Sequence, residues 1–210
     1  TAFLVKLSED YYQIKWFSPL SEIDFCGHAT LAAAHVIFSE KPNLDNIQII
    51  AKAVGAMSIT KKENGYIEMD FPNRKPKPVT SVPDELLTGL SIKPDEVLLN
   101  DQAYFAIYDD EQAILELVPD SECLKKLAPY DVVVTAKSEQ YDFVSRYFWP
   151  ANGGDEDPVT GSIHTGLAPY WADKLAKSQL IAYQASKRGG TLLCRVTADR
   201  VFISGRAVHY

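Results

Sequence analysis

Most hydrophobic positions fall in short runs rich in β-branched and aromatic residues, which reads as strand, while two longer runs of small and aliphatic residues read as helix. Phe3-Leu4-Val5 and Tyr12 to Phe17 flank the polar Ser8-Glu9-Asp10, predicting a hairpin whose second strand ends at Ser18-Pro19. Strands follow at Ile47 to Ala51, Ala56 to Lys61 and Tyr66 to Phe71. The last two are joined by Glu63-Asn64-Gly65, since Asn-Gly is a strong hairpin turn. Further strands are predicted at Glu96 to Leu99, Gln102 to Ile107, Asp131 to Ala136, Ile181 to Gln184, Thr191 to Thr197 and Arg200 to Ser204. Short helices are predicted over Asp84 to Leu90 and Ser121 to Leu127. Ala29 to Phe38 is apolar nearly all round, as suits a helix buried in a sheet or barrel, and a second buried helix is expected to begin near Gly161. Pro72 to Pro78 holds three prolines in seven residues, which oppose helix and central strand and place a lobe boundary there. The expected fold is α+β, with lobes at residues 1–74 and 79–210 and one core helix in each.

The two helix entrances resemble each other. Cys26-Gly27-His28-Ala29-Thr30 and Thr160-Gly161-Ser162-Ile163-His164 match Gly27 with Gly161, Thr30 with the neighbourhood of His164 and Ala34 with Ala168, which predicts a duplicated half-fold. Free N–H groups at a helix start favour anions, so two such starts facing one cleft could hold a carboxylate.

A chain of 210 residues can bury a substantial core. Its formal charge of −7, with no segregated basic patch, argues against a nucleic-acid partner. Three scattered cysteines, Cys26, Cys123 and Cys194, suit neither a disulfide framework nor a paired-cysteine metal site and point to a reducing, cytoplasmic setting. No apolar run approaches a membrane span, and no glycine-rich nucleotide motif is present. The start at Thr1 lacks an initiator methionine, which implies a longer gene product.

His28, directly after Gly27, is a candidate proton carrier, and the positive end of the helix dipole should lower its pKa toward the neutral form. A structural, hydrogen-bonded histidine is the alternative, and the sequence leaves both open. His35, seven positions on, reads as a packed core histidine. Asp157 is the second candidate: Pro158 keeps it extended, and the helix start at Gly161 should stabilise its carboxylate. Either Glu156 or Asp157 should face the cleft. Ser162 does not sit in a nucleophile elbow and reads as a cap or a donor to substrate, whereas Cys26 reads as a small buried hydrophobe. The four histidines show no metal-ligand spacing, so no metal is expected.

Trp16-Phe17-Ser18-Pro19, Asp24 to Ala32, Asp142 to Phe148, Glu156 to Ser162 and Gln184 to Gly190 together resemble the phenazine-biosynthesis (PhzF-like) isomerase family, whose fold is that of diaminopimelate epimerase. The resemblance runs nearly end to end. It implies two pseudo-duplicated lobes, each a barrel-like sheet around a central helix, an active site between them and a homodimer. It places Gly27 and His28 in the first-lobe site and Asp157, Gly161 and Ser162 in the second. The family reaction is a cofactor-free isomerisation in which a glutamate shuttles a proton on a cyclic dihydro-hydroxy amino acid. That glutamate would immediately precede Thr1, and the family adds a terminal strand after Tyr210. Residues 1–210 alone are therefore expected neither to close the first barrel nor to run the reaction at full rate. Epimerase relatives use two opposed cysteines, and here Cys26 has the first position but Thr160 the second, which disfavours two-base racemisation.

The resulting expectation is a cofactor-independent isomerase of a small, carboxylate-bearing, cyclic metabolite. His28 and Asp157 would handle protons, while Gly27, Gly161 and Ser162 receive the anion. Its rivals are an epimerase or racemase and a non-catalytic carboxylate-binding module.

Overall fold

In the second strand Tyr12, Ile14 and Trp16 point into the core while Gln13 and Lys15 face solvent, the period-two pattern of a half-buried strand. The computed structural model describes residues 1–18 and 21–208. Pro19, Leu20, His209 and Tyr210, and with them the strand stop read at Pro19, lie outside the described residues. The elements are β1 (Ala2–Lys6), β2 (Tyr11–Phe17), β3 (Glu22–Ile23), α1 (Gly27–Glu40), β4 (Asn46–Ala51), β5 (Gly55–Lys61), β6 (Ile67–Pro72), β7 (Lys77–Pro78), α2 (Asp84–Gly89), β8 (Glu96–Leu99), β9 (Ala103–Tyr108), α3 (Glu111–Glu116), α4 (Ser121–Leu124), β10 (Asp131–Lys137), β11 (Phe143–Phe148), α5 (His164–Leu175), β12 (Gln179–Gln184), β13 (Gly190–Val196) and β14 (Arg200–Gly205).

The sheet runs β1-β2-β4-β5-β6-β14-β13-β12-β11-β10-β9-β8-β7, with β3 beside β2. The order is mirrored about the β6–β14 join. In each half an antiparallel pair (β1/β2, β10/β11) leads through the long helix to a parallel neighbour (β2 to β4 through α1, β11 to β12 through α5), and two antiparallel strands follow. These are the two pseudo-duplicated lobes of an α+β fold. The halves differ at their outer edges. β9 lies parallel on β10, whereas among the described residues the outer edge of β1 has no strand on it, leaving Phe3 and Val5 exposed.

One apolar core runs through both lobes, from Trp16, Ile49 and Phe71 to Phe105, Phe143, Trp171 and Val201. A second lies on the other face of the second-lobe sheet, where Leu86, Ile114 and Leu124 from α2, α3 and α4 cover Val132, Val134, Val144 and Phe148. β10 and β11 are thus buried on both faces.

Most elements fall within two residues of their predicted bounds. The exceptions have physical reasons. β11, the six-residue α3 and the two-residue strands β3 and β7 are additional, and the helix predicted to run from Ser121 through Leu127 is α4 followed by a 3-10 turn at Lys125–Leu127. α5 starts at His164 because Gly161 to Ile163 form a turn whose first bond runs from His164 N to Gly161 O, 3.2 Å. α1 is covered on one face only: Ala34, Ile37 and Phe38 are buried, while Ala32 and Val36 are exposed and His35 is half-buried rather than a core residue. α5 is buried from His164 to Ala172. The proline-rich stretch is pinned rather than free, since Arg74 N donates to Thr165 O (3.1 Å) and Asn100 Nδ2 to Arg74 O (2.9 Å). No described helix is long and apolar enough to cross a membrane.

Candidate functional site

Phe25 packs edge-on against Trp16 and Phe71, which turns the chain from β3 into α1 at Cys26 and Gly27. The first intrahelical bond runs from Thr30 N to Cys26 O (3.1 Å), so the amides of Gly27, His28 and Ala29 lie ahead of it. In the second lobe the amides of Gly161, Ser162 and Ile163 precede the bond from His164 N. The two starts meet: a Cβ built on Gly27 would stand 2.8 Å from Gly161 Cα and 3.1 Å from Ser162 N. Only glycine permits that approach, so Gly27→Ala should destabilise the fold by about 1–3 kcal/mol through overpacking. Gly161→Ala, whose Cβ would stand 3.2 Å from Gly27 Cα, should cost less. Thermal melts of the two variants check the order, and a Gly27→Ala protein as stable as the parent would remove the contact.

The helix starts repeat a chemical detail. Thr30 Oγ1 donates to Cys26 O (2.8 Å), and His164 Nδ1 bonds Thr160 O (2.8 Å), each reaching back four residues. A carbonyl can only accept, so His164 carries its proton on Nδ1 and leaves Nε2 bare. Among the described residues Nε2 has no partner, and the ring is wholly buried beside Phe143. Burial therefore pulls the His164 pKa down to about 4.

His28 and Asp157 are brought together across the two lobes. Cys26 Sγ lies 3.3 Å from His28 Nε2, and Asp157 Oδ2 lies 3.8 Å from His28 Nδ1, so thiol, imidazole and carboxylate form a line. The His28 pKa is raised, first by the Cys26 hydrogen bond and further by the charge of Asp157, against an opposing contribution from burial. This corrects the expectation of a lowered value: the contacts of the side chain outweigh the opposing effect of burial. Cys26 is likewise no buried hydrophobe but a half-buried thiol facing His28. Cys26→Ala should lower the titration midpoint of His28, read by NMR of the imidazole nitrogens, and an unmoved midpoint would rule out the thiol as its cause.

Of the two acids, Glu156 is taken by a bidentate pair with Arg146 (2.8 and 3.0 Å), and Asp157 is the one that faces His28. Thr160 Oγ1 donates to Asp157 Oδ2 at 2.5 Å. Ser162 is buried, and its hydroxyl accepts from Gln102 Nε2 at 2.9 Å, which leaves the hydroxyl hydrogen free to donate elsewhere. Gln102 Nε2 also donates to Tyr147 (2.9 Å), whose hydroxyl donates to Asp131, itself bonded by Asn152 Nδ2 at 2.8 Å. Burial pushes the Asp131 carboxyl above its ordinary range, and burial together with Asp131 pushes the Tyr147 phenol well up. Nothing in the sequence singles out Gln102 or Asp131, and Tyr147 reads there only as a pocket wall. Their partners lie up to sixty positions away, and only Tyr147, in the stretch Asp142 to Phe148, carried any signal.

The arrangement supplies amide donors for an anion beside one imidazole and one carboxylate, which suits proton transfer on a bound acid. An open depression of about 850 Å³ lined by Lys62, Glu68, Asp142 and Arg195, among others, contains none of these residues.

A family model described as phenazine biosynthesis-like protein (PhzC-PhzF) matches residues 1–210. An uncharacterized isomerase of Pseudomonas aeruginosa is 46% identical over 210 residues, covering 100% of this chain and 80% of the relative. One from Halalkalibacterium halodurans is 44% identical over 211 residues, covering 99% and 79%. The crystal structure of a PhzF-family protein from Enterococcus faecalis superposes with a TM-score of 0.88 at 40% identity, over 98% of this chain and 78% of that one. A hydroxyproline epimerase from Agrobacterium vitis, at 10% identity and a TM-score of 0.60 over 100% and 72%, shares the fold alone.

Proposed function

The chain belongs to the phenazine biosynthesis-like (PhzC-PhzF) family, and from that premise we propose that it is a cofactor-independent isomerase moving a proton between two carbons of a small, cyclic, carboxylate-bearing metabolite bound where the two helix starts meet. The observation that carries this reading is the alignment of Cys26, His28 and Asp157 beside the amides of Gly27, Gly161 and Ser162. The amides and the Ser162 hydroxyl receive the substrate carboxylate, and charge that develops on it during proton abstraction is met by the same donors. Asp157 accepts the proton, and His28, biased toward its charged form, supplies one at the second carbon. No electron acceptor is needed, since the proton taken is balanced by the proton returned.

The names of the curated relatives, isomerases, support the reaction class. The test is proton NMR in D₂O with a panel of cyclic unsaturated amino acids, with proline and hydroxyproline alongside. Deuterium at a new carbon together with a shifted double bond supports isomerisation, and exchange at a chiral α-carbon alone would mean an epimerase. Binding without exchange would reduce the protein to a carboxylate-binding module. Against the epimerase stands Thr160, whose hydroxyl is bonded to Asp157 where a second cysteine would be needed.

A further inference from the structure

We propose that Gln184 is a positioning residue for Asp157, its buried amide committing the single hydroxyl hydrogen of Thr160 to Asp157 Oδ2 and so fixing the carboxylate toward His28. The inference rests on the reading of Asp157 as the proton acceptor.

Gln184 ends β12 and is completely buried. All of its side-chain hydrogen bonds go to one loop. Oε1 accepts from Thr160 N at 2.7 Å, and Nε2 donates to Asp157 O at 2.7 Å and to Thr160 Oγ1 at 3.1 Å. The amide can sit only one way round, because a backbone N–H only donates and a carbonyl only accepts. With Nε2 filling a lone pair of Thr160 Oγ1, the hydroxyl hydrogen points to the acceptor 2.5 Å away, Asp157 Oδ2. That oxygen is the one 3.8 Å from His28 Nδ1. Direction is therefore set from Gln184 through Thr160 to Asp157, whose Oδ2 faces His28. It also removes Thr160 from acid–base duty, since both its donor and an acceptor site are occupied.

The neighbours of Gln184 hold the rest of the loop. Ser186 Oγ donates to Pro158 O at 2.7 Å, and a Cβ on Gly190 would stand 2.3 Å from Val159 Cγ2, so that segment lies flush against the loop. Gln184 to Gly190 thus grips each of residues 157–160, which gives that motif a task.

The test reads the titration midpoint of His28 by NMR, which needs no substrate and so stands or falls apart from the turnover assay. The groups facing His28 are the Cys26 thiol, the Asp157 carboxylate and the Val159 backbone, and the Asp157→Asn background separates the carboxylate's share of any shift from the backbone's. Gln184→Met and Thr160→Val should each shift the midpoint down, while Thr160→Ser should retain the parent value. Asp157→Asn should also shift it down, and adding Gln184→Met in that background should change nothing more. A purely structural glutamine would lower the melting temperature and leave the midpoint alone. If folded Gln184→Met and Thr160→Val proteins keep the parent midpoint while Asp157→Asn lowers it, the proposal fails. If Asp157→Asn leaves it unmoved, the pairing with His28 fails and the proposal with it.

Discussion

Asp157→Asn should cut the rate of solvent-deuterium exchange into a turned-over substrate by about 10²–10⁴-fold, the usual contribution of a positioned acid–base group. The substitution is nearly isosteric, and the asparagine carbonyl can still accept from Thr160, so the loop that Gln184 holds should keep its shape. What disappears is the ability to take a proton and the charge beside His28. His28→Ala should fall in the same range. Because His28 is 56% exposed on its side chain, its loss should barely alter the melting temperature. The check is paired: exchange rates by NMR and melting temperatures for parent and variants. Full exchange in Asp157→Asn would place the chemistry elsewhere, and a large drop in stability together with lost activity would reassign Asp157 to the fold.

The second large effect is on stability against pH. His164 is held neutral at about 4 in the folded protein, against 6.5 when solvated. The unfolded chain therefore binds the proton more tightly, and folding stability falls as pH drops from 6.5 toward 4. At about 1.4 kcal/mol per pH unit the full displacement is worth about 3 kcal/mol. Asp131 works with the opposite sign, since its folded carboxyl is raised. The His164 contribution is isolated by comparison with His164→Thr, the residue used at the matching position of the other lobe. Thr160 O could still be capped as Thr30 caps Cys26 O. Urea titrations at pH 7 and pH 4.5 should show a large loss in the parent and a smaller one in His164→Thr, which starts from a lower stability because it leaves a cavity. Equal losses would exclude His164 as the acid-sensitive group.

A wet face or a marked turn made several strands legible in the sequence: β2 alternates, and Asn64-Gly65 joins β5 to β6 with Gly65 at φ 79°. β11 is buried on both faces and shows no alternation over Phe143 to Phe148, and with Ser145 and Arg146 at its centre it lacks the unbroken β-branched run of the equally buried β10. α3 was missed for its length, although Asp110 caps it through Gln112 N. At the site, the paired glycines and the two flanking candidates were readable because each sits in a short local signal. Asp157 was preferred to Glu156 from Pro158 and the family resemblance, but the pairing that removes Glu156, with Arg146 ten positions away, was not readable. Nor was the raised pKa of His28, which comes from a thiol two residues back whose direction only the folded chain sets. Gln102 and Gln184 act entirely through contacts distant in sequence.

The join between β6 and β14 has a mechanical consequence. Six residue pairs, from Arg200 with Pro72 to Gly205 with Ile67, carry the sheet from one lobe into the other. A ladder of that length is stiff against shear and compliant only in twist. With the proline-rich stretch bonded down at Arg74, it offers no free joint. Gly27 and Gly161 meet backbone to backbone between the two lobes. A rotation of one lobe against the other would therefore have to be absorbed as torsion of the sheet along this seam.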